Sequence, residues 1–237
     1  MQIKKQLLIA CAVLLSAVSA HTQITQDVSL SVGYAGLLQN GDDDLTIQTG
    51  PVGVLYTLQY AVQFGRVGIL MTPFIEYHIG KKEEDMLQYF ADNGIDASTF
   101  LQGAALDDGI LLGARVALWN MDGNARPQIY LHLQSGPASC TVNKGYVQYT
   151  LGGDTYAVHA EEAMALGLAS NIGLDAHILG KGHVQFGISA GVQHIQANVP
   201  VATSTTVLGG ETTNSTEIFI WRQTEIYGLA MLIIPIQ

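Results

Sequence analysis

The chain has 237 residues, of which 48% are hydrophobic and only 13% are charged. So low a charged share excludes a disordered chain and a highly soluble helical protein, and it indicates that something other than water faces much of the surface. The formal net charge of −10 at neutral pH excludes a typical nucleic-acid-binding protein. An all-β chain of this length often folds as a single domain, which is what we expect here.

Residues 1–20 have the features of a secretory signal peptide. Lys4 and Lys5 precede an apolar run from Leu7 to Leu15, and Val18-Ser19-Ala20 supplies the small residues that signal peptidase requires. We therefore expect export and cleavage of this segment. Cleavage would leave Cys140 as the one remaining cysteine, and the pattern places it in a loop.

Beyond the leader, apolar residues alternate with polar or small ones, which predicts β-strands with two different faces. In the segment 52–64, for example, Leu58 and Tyr60 alternate with Gln59 and Ala61. Eight such segments follow along the chain, at 27–38, 52–64, 66–80, 110–120, 127–135, 163–179, 183–196 and 218–236. The longest later apolar stretch, 227–236, is too short for a membrane helix, which needs about 20 residues.

The connections between these segments alternate between short and long. Phe64–Arg66, Asn120–Arg126 and Gly180–Gly182 have the composition of tight turns, whereas 39–51, 81–109, 136–162 and 197–217 are long, polar and irregular. This asymmetry is typical of an outer-membrane barrel, which has short periplasmic turns and long extracellular loops. Residues 82–93 in the second long loop predict a short helix, because Met86, Leu87 and Phe90 have helical spacing.

A leader, eight alternating segments and this order of loop lengths resemble the small eight-stranded outer-membrane barrels of Gram-negative bacteria, the OmpA/OmpX type, over residues 24–237. The resemblance implies an all-β fold, an eight-stranded antiparallel up-and-down transmembrane β-barrel located in the cell outer membrane. Outer-membrane lipid and lipopolysaccharide would then be its partners. One departure is the carboxyl end, Pro235-Ile236-Gln237, where such barrels commonly finish on an aromatic residue.

The direction in which each face points separates a membrane barrel from a soluble one. The polar face is rich in small residues, such as Gly187, Ser189 and Gly191, which suit the interior of a narrow barrel. A face exposed to water would carry Lys and Glu instead, so we expect the apolar face to point outward to lipid. Aromatic residues on that face fit interfacial girdles: Tyr34, Tyr56, Tyr60, Phe64, Tyr77 and Phe186. The alternative is a soluble secreted β-barrel or sandwich that binds a ligand.

Ionisable residues on the polar face form a predicted polar cluster in the lumen: Glu76, His78, Arg115, His132, Asp175, His177, His183 and Glu225. A buried arginine needs a carboxylate partner, so we predict an Arg115–Asp175 ion pair with His132 beside it. The alternative is that strand shear separates them and water solvates each. Nothing in the spacing of the histidines makes their nitrogens converge on one ion, and we predict no metal site and no cofactor.

The predicted function lies in the long loops. A lumen filled by side chains is too narrow for a general diffusion pore. We expect a non-catalytic protein that meets an extracellular ligand through loops 81–109, 136–162 and 197–217, in cell-surface interaction or envelope integrity. The acidic runs Asp42–Asp44 and Glu83–Asp85 are expected to be solvated.

Two other functions remain open, a narrow channel and a lipid-modifying outer-membrane enzyme. For the enzyme, the sequence offers Ser170, Ser189 and His159 but no compact pairing of serine with histidine.

Overall fold

In a computed structural model, the described residues are 24–40, 49–80, 83–102, 105–119, 128–179 and 183–236. The predicted signal peptide, the acidic run Asp42–Asp44 and the predicted turns Asn120–Arg126 and Gly180–Gly182 lie outside them. The strands are β1 (Ile24–Asn40), β2 (Thr49–Phe64), β3 (Val67–Gly80), β4 (Asp96–Gln102), β5 (Ala105–Trp119), β6 (Gln128–Val142), β7 (Gly145–Leu151), β8 (Asp154–Ala160), β9 (Ala163–Leu179), β10 (Gln185–Val207) and β11 (Thr212–Ile236). The helix α1 spans Glu83–Asp92.

Eight strands form a closed antiparallel barrel in the order β1, β2, β3, β5, β6, β9, β10 and β11. The last strand closes the barrel by pairing with the first, from Ile236 opposite Gln26 to Gln223 opposite Asn40. This confirms the predicted all-β, eight-stranded, up-and-down antiparallel barrel. We call the rim that carries the tight β2–β3 turn the lower rim and the opposite one the upper rim. Gly65 makes the turn possible because it adopts a positive φ of 61°.

In the barrel wall the apolar side chains are exposed and the polar ones are buried, which is the reverse of the arrangement in a soluble barrel. Leu58, Ile69 and Ile188 point outward and are 49%, 62% and 53% exposed, whereas Gln59 and Gln134 point inward and are 6% and 4% exposed. Because successive side chains of a strand point to opposite faces, the alternation seen in the sequence translates directly into this arrangement. The wall is therefore apolar outside and polar inside.

The strands extend further beyond the upper rim than the sequence pattern predicted. The predicted loop 197–217 is a hairpin of β10 and β11 that turns at residues 208–211, and the first residues of the predicted loop 136–162 belong to β6. Val199 and Val201 continue the inward alternation and are fully buried, but the outward residues beside them, Asn198, Pro200 and Ala202, are polar or small, which hid the pattern. Cys140 is accordingly buried in β6, not in a loop.

The remaining long-loop residues form a small sheet above the barrel, which we call the upper sheet. In it β8 pairs with the end of β10, β7 with β8, and β4 with β7. The helix predicted at 82–93 is confirmed as α1, which packs against β4 with Met86 buried. The predicted loops 81–109 and 136–162 thus contain regular structure, and this structure is joined to the β10–β11 hairpin by the pairing of β8 with β10.

Candidate functional site

All residues of the predicted polar cluster point into the barrel except His183, which is exposed and precedes β10. Each of the inward residues is at most 4% exposed: Glu76, His78, Arg115, His132, Asp175, His177 and Glu225. They do not form one cluster. The structure divides them into a lower layer near the lower rim and an upper layer towards the upper rim.

The lower layer is an ion-pair network around Arg115. Its guanidinium binds both carboxylate oxygens of Asp27, with Nη2 2.5 Å from Oδ2 and Nη1 3.3 Å from Oδ1. Its Nε donates to Gln63 Oε1 over 2.8 Å, and its Cζ lies 4.5 Å from the centre of the Tyr130 ring. Two-pronged binding to a carboxylate and stacking on an aromatic ring are the contacts that suit a guanidinium best.

The predicted Arg115–Asp175 ion pair is replaced by two other pairs. Gly68 lies opposite Arg115 on β3 and has no side chain, so the arginine crosses it toward β2 and β1. Tyr130 lies opposite Asp175 and covers the guanidinium with its ring. Asp175 instead lies 3.2 Å from His132 Nδ1.

His132 links the lower layer to the far wall of the lumen. Its Nε2 lies 2.9 Å from Asn171 Oδ1 and 3.0 Å from the Tyr227 hydroxyl. The hydroxyl fits beside Gly173 and Gly191, where an added Cβ would collide with it. Two inward glycines therefore make room for this polar contact in the narrow interior.

The upper layer contains three buried carboxylates and one histidine. His78 Nε2 lies 2.8 Å from Asp107 Oδ2, and its Nδ1 lies 3.8 Å from Glu225 Oε1 and 4.0 Å from Glu76 Oε1. The outer hydrogen bonds of the layer come from Gln193 Nε2, which donates to Glu76 Oε2 over 3.0 Å, and from Trp221 Nε1, which donates to Asp107 Oδ2 over 3.3 Å.

Two carboxylates of these layers, Asp27 and Asp107, were not predicted as site residues. Each lies in line with the inward alternation of its strand, two residues before Ser29 on β1 and four residues before Leu111 on β5. Asp27 is the first residue of the predicted segment 27–38, and extending the period of two past the start of the segment 110–120 would have placed Asp107 in the lumen as well.

Side chains fill the space between the two layers. The void lined by Ser31, Gln59, Thr72, Gln134 and Tyr227 measures about 20 Å³. A volume of that size holds about one water molecule.

The upper sheet presents aromatic pairs and a polar groove. The rings of Tyr149 and Tyr156 stack with centres 5.2 Å apart, and on the other face Tyr146 lies 4.6 Å from the His159 ring. A groove of about 460 Å³ lies at the β10–β11 hairpin and is lined by Glu161, Ala202, Thr203, Ser204, Asn214, Ser215 and Thr216. These side chains are half-buried or exposed, and all of them except Glu161, which follows β8, lie on the β10–β11 hairpin.

Of the helices in the described parts of the chain, none is both long and apolar enough to cross a membrane.

The sequence matches no protein-family model and no curated protein. Three solved structures are similar to the fold. The outer membrane protein OprG from Pseudomonas aeruginosa is 11% identical, with 92% of this chain and 98% of that chain covered and a TM-score of 0.49. A major outer membrane protein from Thermus thermophilus is 9% identical, with 90% and 99% covered and a TM-score of 0.48. Ail, the attachment invasion locus protein of Yersinia pestis, solved with the heparin analogue sucrose octasulfate, is 12% identical, with 89% and 99% covered and a TM-score of 0.44. At these identities no residue role carries over to this chain.

Proposed function

We propose that this chain is an outer-membrane barrel without catalytic activity that binds a partner at the cell surface through its upper sheet. The observation that carries the membrane part is the reversed exposure of the wall. Leu30, Leu112, Leu133 and Phe186, from four different strands, are 53% to 63% exposed on the outside, while the inside holds buried glutamines and ion pairs. A closed barrel with an apolar outer face satisfies its backbone hydrogen bonds internally, as a membrane requires.

The outward aromatic residues support the same orientation. On β2, Tyr56 and Phe64 are eight residues apart, which is about 26 Å along a strand and about 20 Å in height for a strand tilted by 40°. The apolar band of an outer-membrane barrel is about 25 Å tall. Tyr56 contacts Tyr77 edge to face on the outside of the barrel, at the upper end of this interval.

The upper sheet supports a role outside the membrane. β10 has 23 residues, and a strand of that length rises more than about 50 Å even when tilted, which is about twice the apolar band. One face of the sheet is apolar and aromatic, with Val147, Tyr149, Tyr156 and Val158 all half-buried. Accessible aromatic residues are enriched in protein-binding surfaces.

The charge of this region favours a cationic partner. Exposed acidic residues dominate its described part, with Glu83, Glu84, Asp92, Asp96, Asp154, Glu161, Glu162, Glu211 and Glu217 against Lys144 and Arg222. A polyanion would be repelled unless divalent cations bridged it to the surface, which is how lipopolysaccharide would be held. Neither serine considered from the sequence lies opposite His159, which is exposed on β8. Ser189 is buried in the lumen, and Ser170 lies on β9 opposite His194.

The membrane topology can be tested by labelling single cysteines in intact cells with a membrane-impermeant maleimide. Leu151→Cys, at the exposed tip of β7, should be labelled, whereas Arg66→Cys in the β2–β3 turn should be labelled only after lysis. Cys140 is buried and serves as the internal control that stays unlabelled while the barrel is folded. Labelling of both cysteines in intact cells, or a native β-rich protein in buffer without detergent, would contradict the proposal.

The role of the upper sheet can be tested with Tyr149→Ser/Tyr156→Ser against the matched variant Tyr146→Ser on the opposite face. Cells that display the double variant should lose adherence by about tenfold, because the aromatic contact area is removed. Their sensitivity to detergents should equal that of cells with the unaltered chain. Unchanged adherence together with raised detergent sensitivity would indicate a role in envelope integrity instead.

A further inference from the structure

The upper layer holds more buried negative charge than its own residues can balance. Glu76, Asp107 and Glu225 are each at most 1% exposed, and His78 is the one basic side chain in contact with them in the described part of the chain. Arg115 is engaged by Asp27 in the lower layer. An uncompensated buried carboxylate costs several kcal/mol, so the layer requires protons or a cation.

Several buried atoms of the layer lack a hydrogen-bond partner among the described residues. Glu76 Oε1 and His78 Nδ1 are fully buried and make no hydrogen bond with the described residues, and the same holds for Glu225 Oε2. One ligand atom from each of Glu76, His78 and Glu225 lies within 4.8 Å of the other two. Ligands of a tetrahedral ion held at about 2.1 Å are about 3.4 Å apart. The separations of 3.8 and 4.0 Å from His78 Nδ1 therefore need only small rotations to close on an ion.

The remaining contacts of these side chains orient them as ligands. His78 Nε2 lies 2.8 Å from Asp107 Oδ2. With the ring proton on Nε2, the Nδ1 lone pair would face the two glutamates. A carboxylate on the far nitrogen of a histidine is the usual partner of a metal-bound imidazole. Gln193 holds Glu76 through Oε2 and leaves Oε1 free, and Trp221 holds Asp107.

We propose that Glu76, His78 and Glu225 bind a single divalent transition-metal cation, with Asp107 as a positioning residue for His78. One imidazole and two carboxylates suit Zn²⁺ or a similar first-row cation, whereas Ca²⁺ takes six to eight oxygen ligands. The two glutamates balance the charge of the ion. Since Glu76 and His78 lie on β3 and Glu225 on β11, the ion would join two walls of the barrel that are three strand steps apart.

This inference goes beyond the proposed function, since the site lies inside the wall and its test does not depend on what the upper sheet binds. The mature chain, without a histidine tag, is refolded in detergent from metal-free denaturant in the presence of Zn²⁺ or Co²⁺. After dialysis, the metal content is measured, and the visible absorption of Co²⁺ reports the ligand geometry. We expect one ion per chain and the intense bands of four-coordinate Co²⁺.

Glu225→Gln and His78→Gln should each weaken Zn²⁺ binding by at least about 100-fold, and Asp107→Asn by about 10- to 100-fold, as is usual for an outer-shell partner. Glu217→Gln is the matched control, because it makes the same change on the same strand at an exposed position, and it should bind like the unaltered chain. Heat-dependent migration on a gel confirms that each variant is folded. If the unaltered chain takes up no metal, the glutamates hold protons only and the proposal is overturned. Equal binding by Glu225→Gln would overturn it as well.

Discussion

The two polar layers of the lumen use the same types of residue but balance their charges in different ways. In the lower layer each carboxylate has its own cation or histidine, with Asp27 on Arg115 and Asp175 on His132. In the upper layer three carboxylates lie around His78 alone among the basic side chains of the described residues. The three carboxylates of the upper layer are at most 1% exposed, whereas the side chain of Asp27 is 13% exposed, so the better paired layer is also the one closer to water.

The two layers also differ in their position along the barrel and in the strands that supply their residues. Asp27 lies opposite Ala61, near the lower rim, and its ion pair is completed by residues of the nearby strands β2 and β5. Glu76 lies opposite Leu55 and beneath the upper sheet, and its layer includes Glu225 from a strand across the lumen. The lower layer is a set of direct pairs that stabilises the closed wall. The upper layer needs bound protons or a cation to balance the charge of its three carboxylates.

The largest expected effect is in the lower layer. Arg115→Met should lower the free energy of unfolding by about 3 kcal/mol, since it leaves the Asp27 carboxylate, whose side chain is 13% exposed, without its partner. Gln63 also loses its hydrogen-bond donor. The measurement is urea-induced unfolding in lipid vesicles. Arg66→Met makes the same change at an exposed turn position and should stay within about 0.5 kcal/mol of the unaltered chain. A loss below about 1 kcal/mol for Arg115→Met would mean that water solvates Asp27.

In the upper layer, the removal of a charged side chain should raise the free energy of unfolding instead of lowering it. In metal-free buffer near pH 8, Glu76→Gln should raise the free energy of unfolding by about 1–2 kcal/mol, because it removes one of three carboxylates that share a histidine. Gln193 keeps an oxygen acceptor at this position. Asp27→Asn, the equivalent change in the lower layer, should lower the free energy of unfolding by about 2 kcal/mol. If both substitutions lower the free energy of unfolding, the two layers balance their charges in the same way. Saturating Zn²⁺ should abolish the stability gain of Glu76→Gln.

The barrel itself could be predicted from the sequence because its chemistry is local. Alternation in β2, as in Leu58 next to Gln59, places one residue in an outward-facing and the next in a lumen-facing position whatever the rest of the chain does. The upper extensions of β10 and β11 were missed because a strand outside the apolar band no longer needs an apolar outer face. Val199 and Val201 were the remaining signal, since they are inward and buried.

The pairing inside the lumen could be predicted only in part. Parity places Arg115, His132 and Asp175 in the interior, but which of them touch depends on strand shear and on the size of the residues between them. Gly68 opens the path from Arg115 to Asp27, and Tyr130 occupies the path to Asp175. The convergence of Glu225 with Glu76 requires closure of the barrel, which brings together residues about 150 positions apart in the chain.

A smaller effect would show how the upper layer holds Asp107. Trp221→Phe should lower the free energy of unfolding by about 1 kcal/mol, because it removes the 3.3 Å hydrogen bond from Nε1 to Oδ2 and keeps an aromatic ring beside His78. In a background of Asp107→Leu the same change should cost almost nothing, so a double-mutant cycle isolates the bond. The donor is a neutral indole, in contrast to the guanidinium that holds Asp27, and the coupling should therefore be well below that of the Arg115 pair. A coupling of zero would mean that the indole does not hold Asp107, and the 2.8 Å contact with His78 would remain.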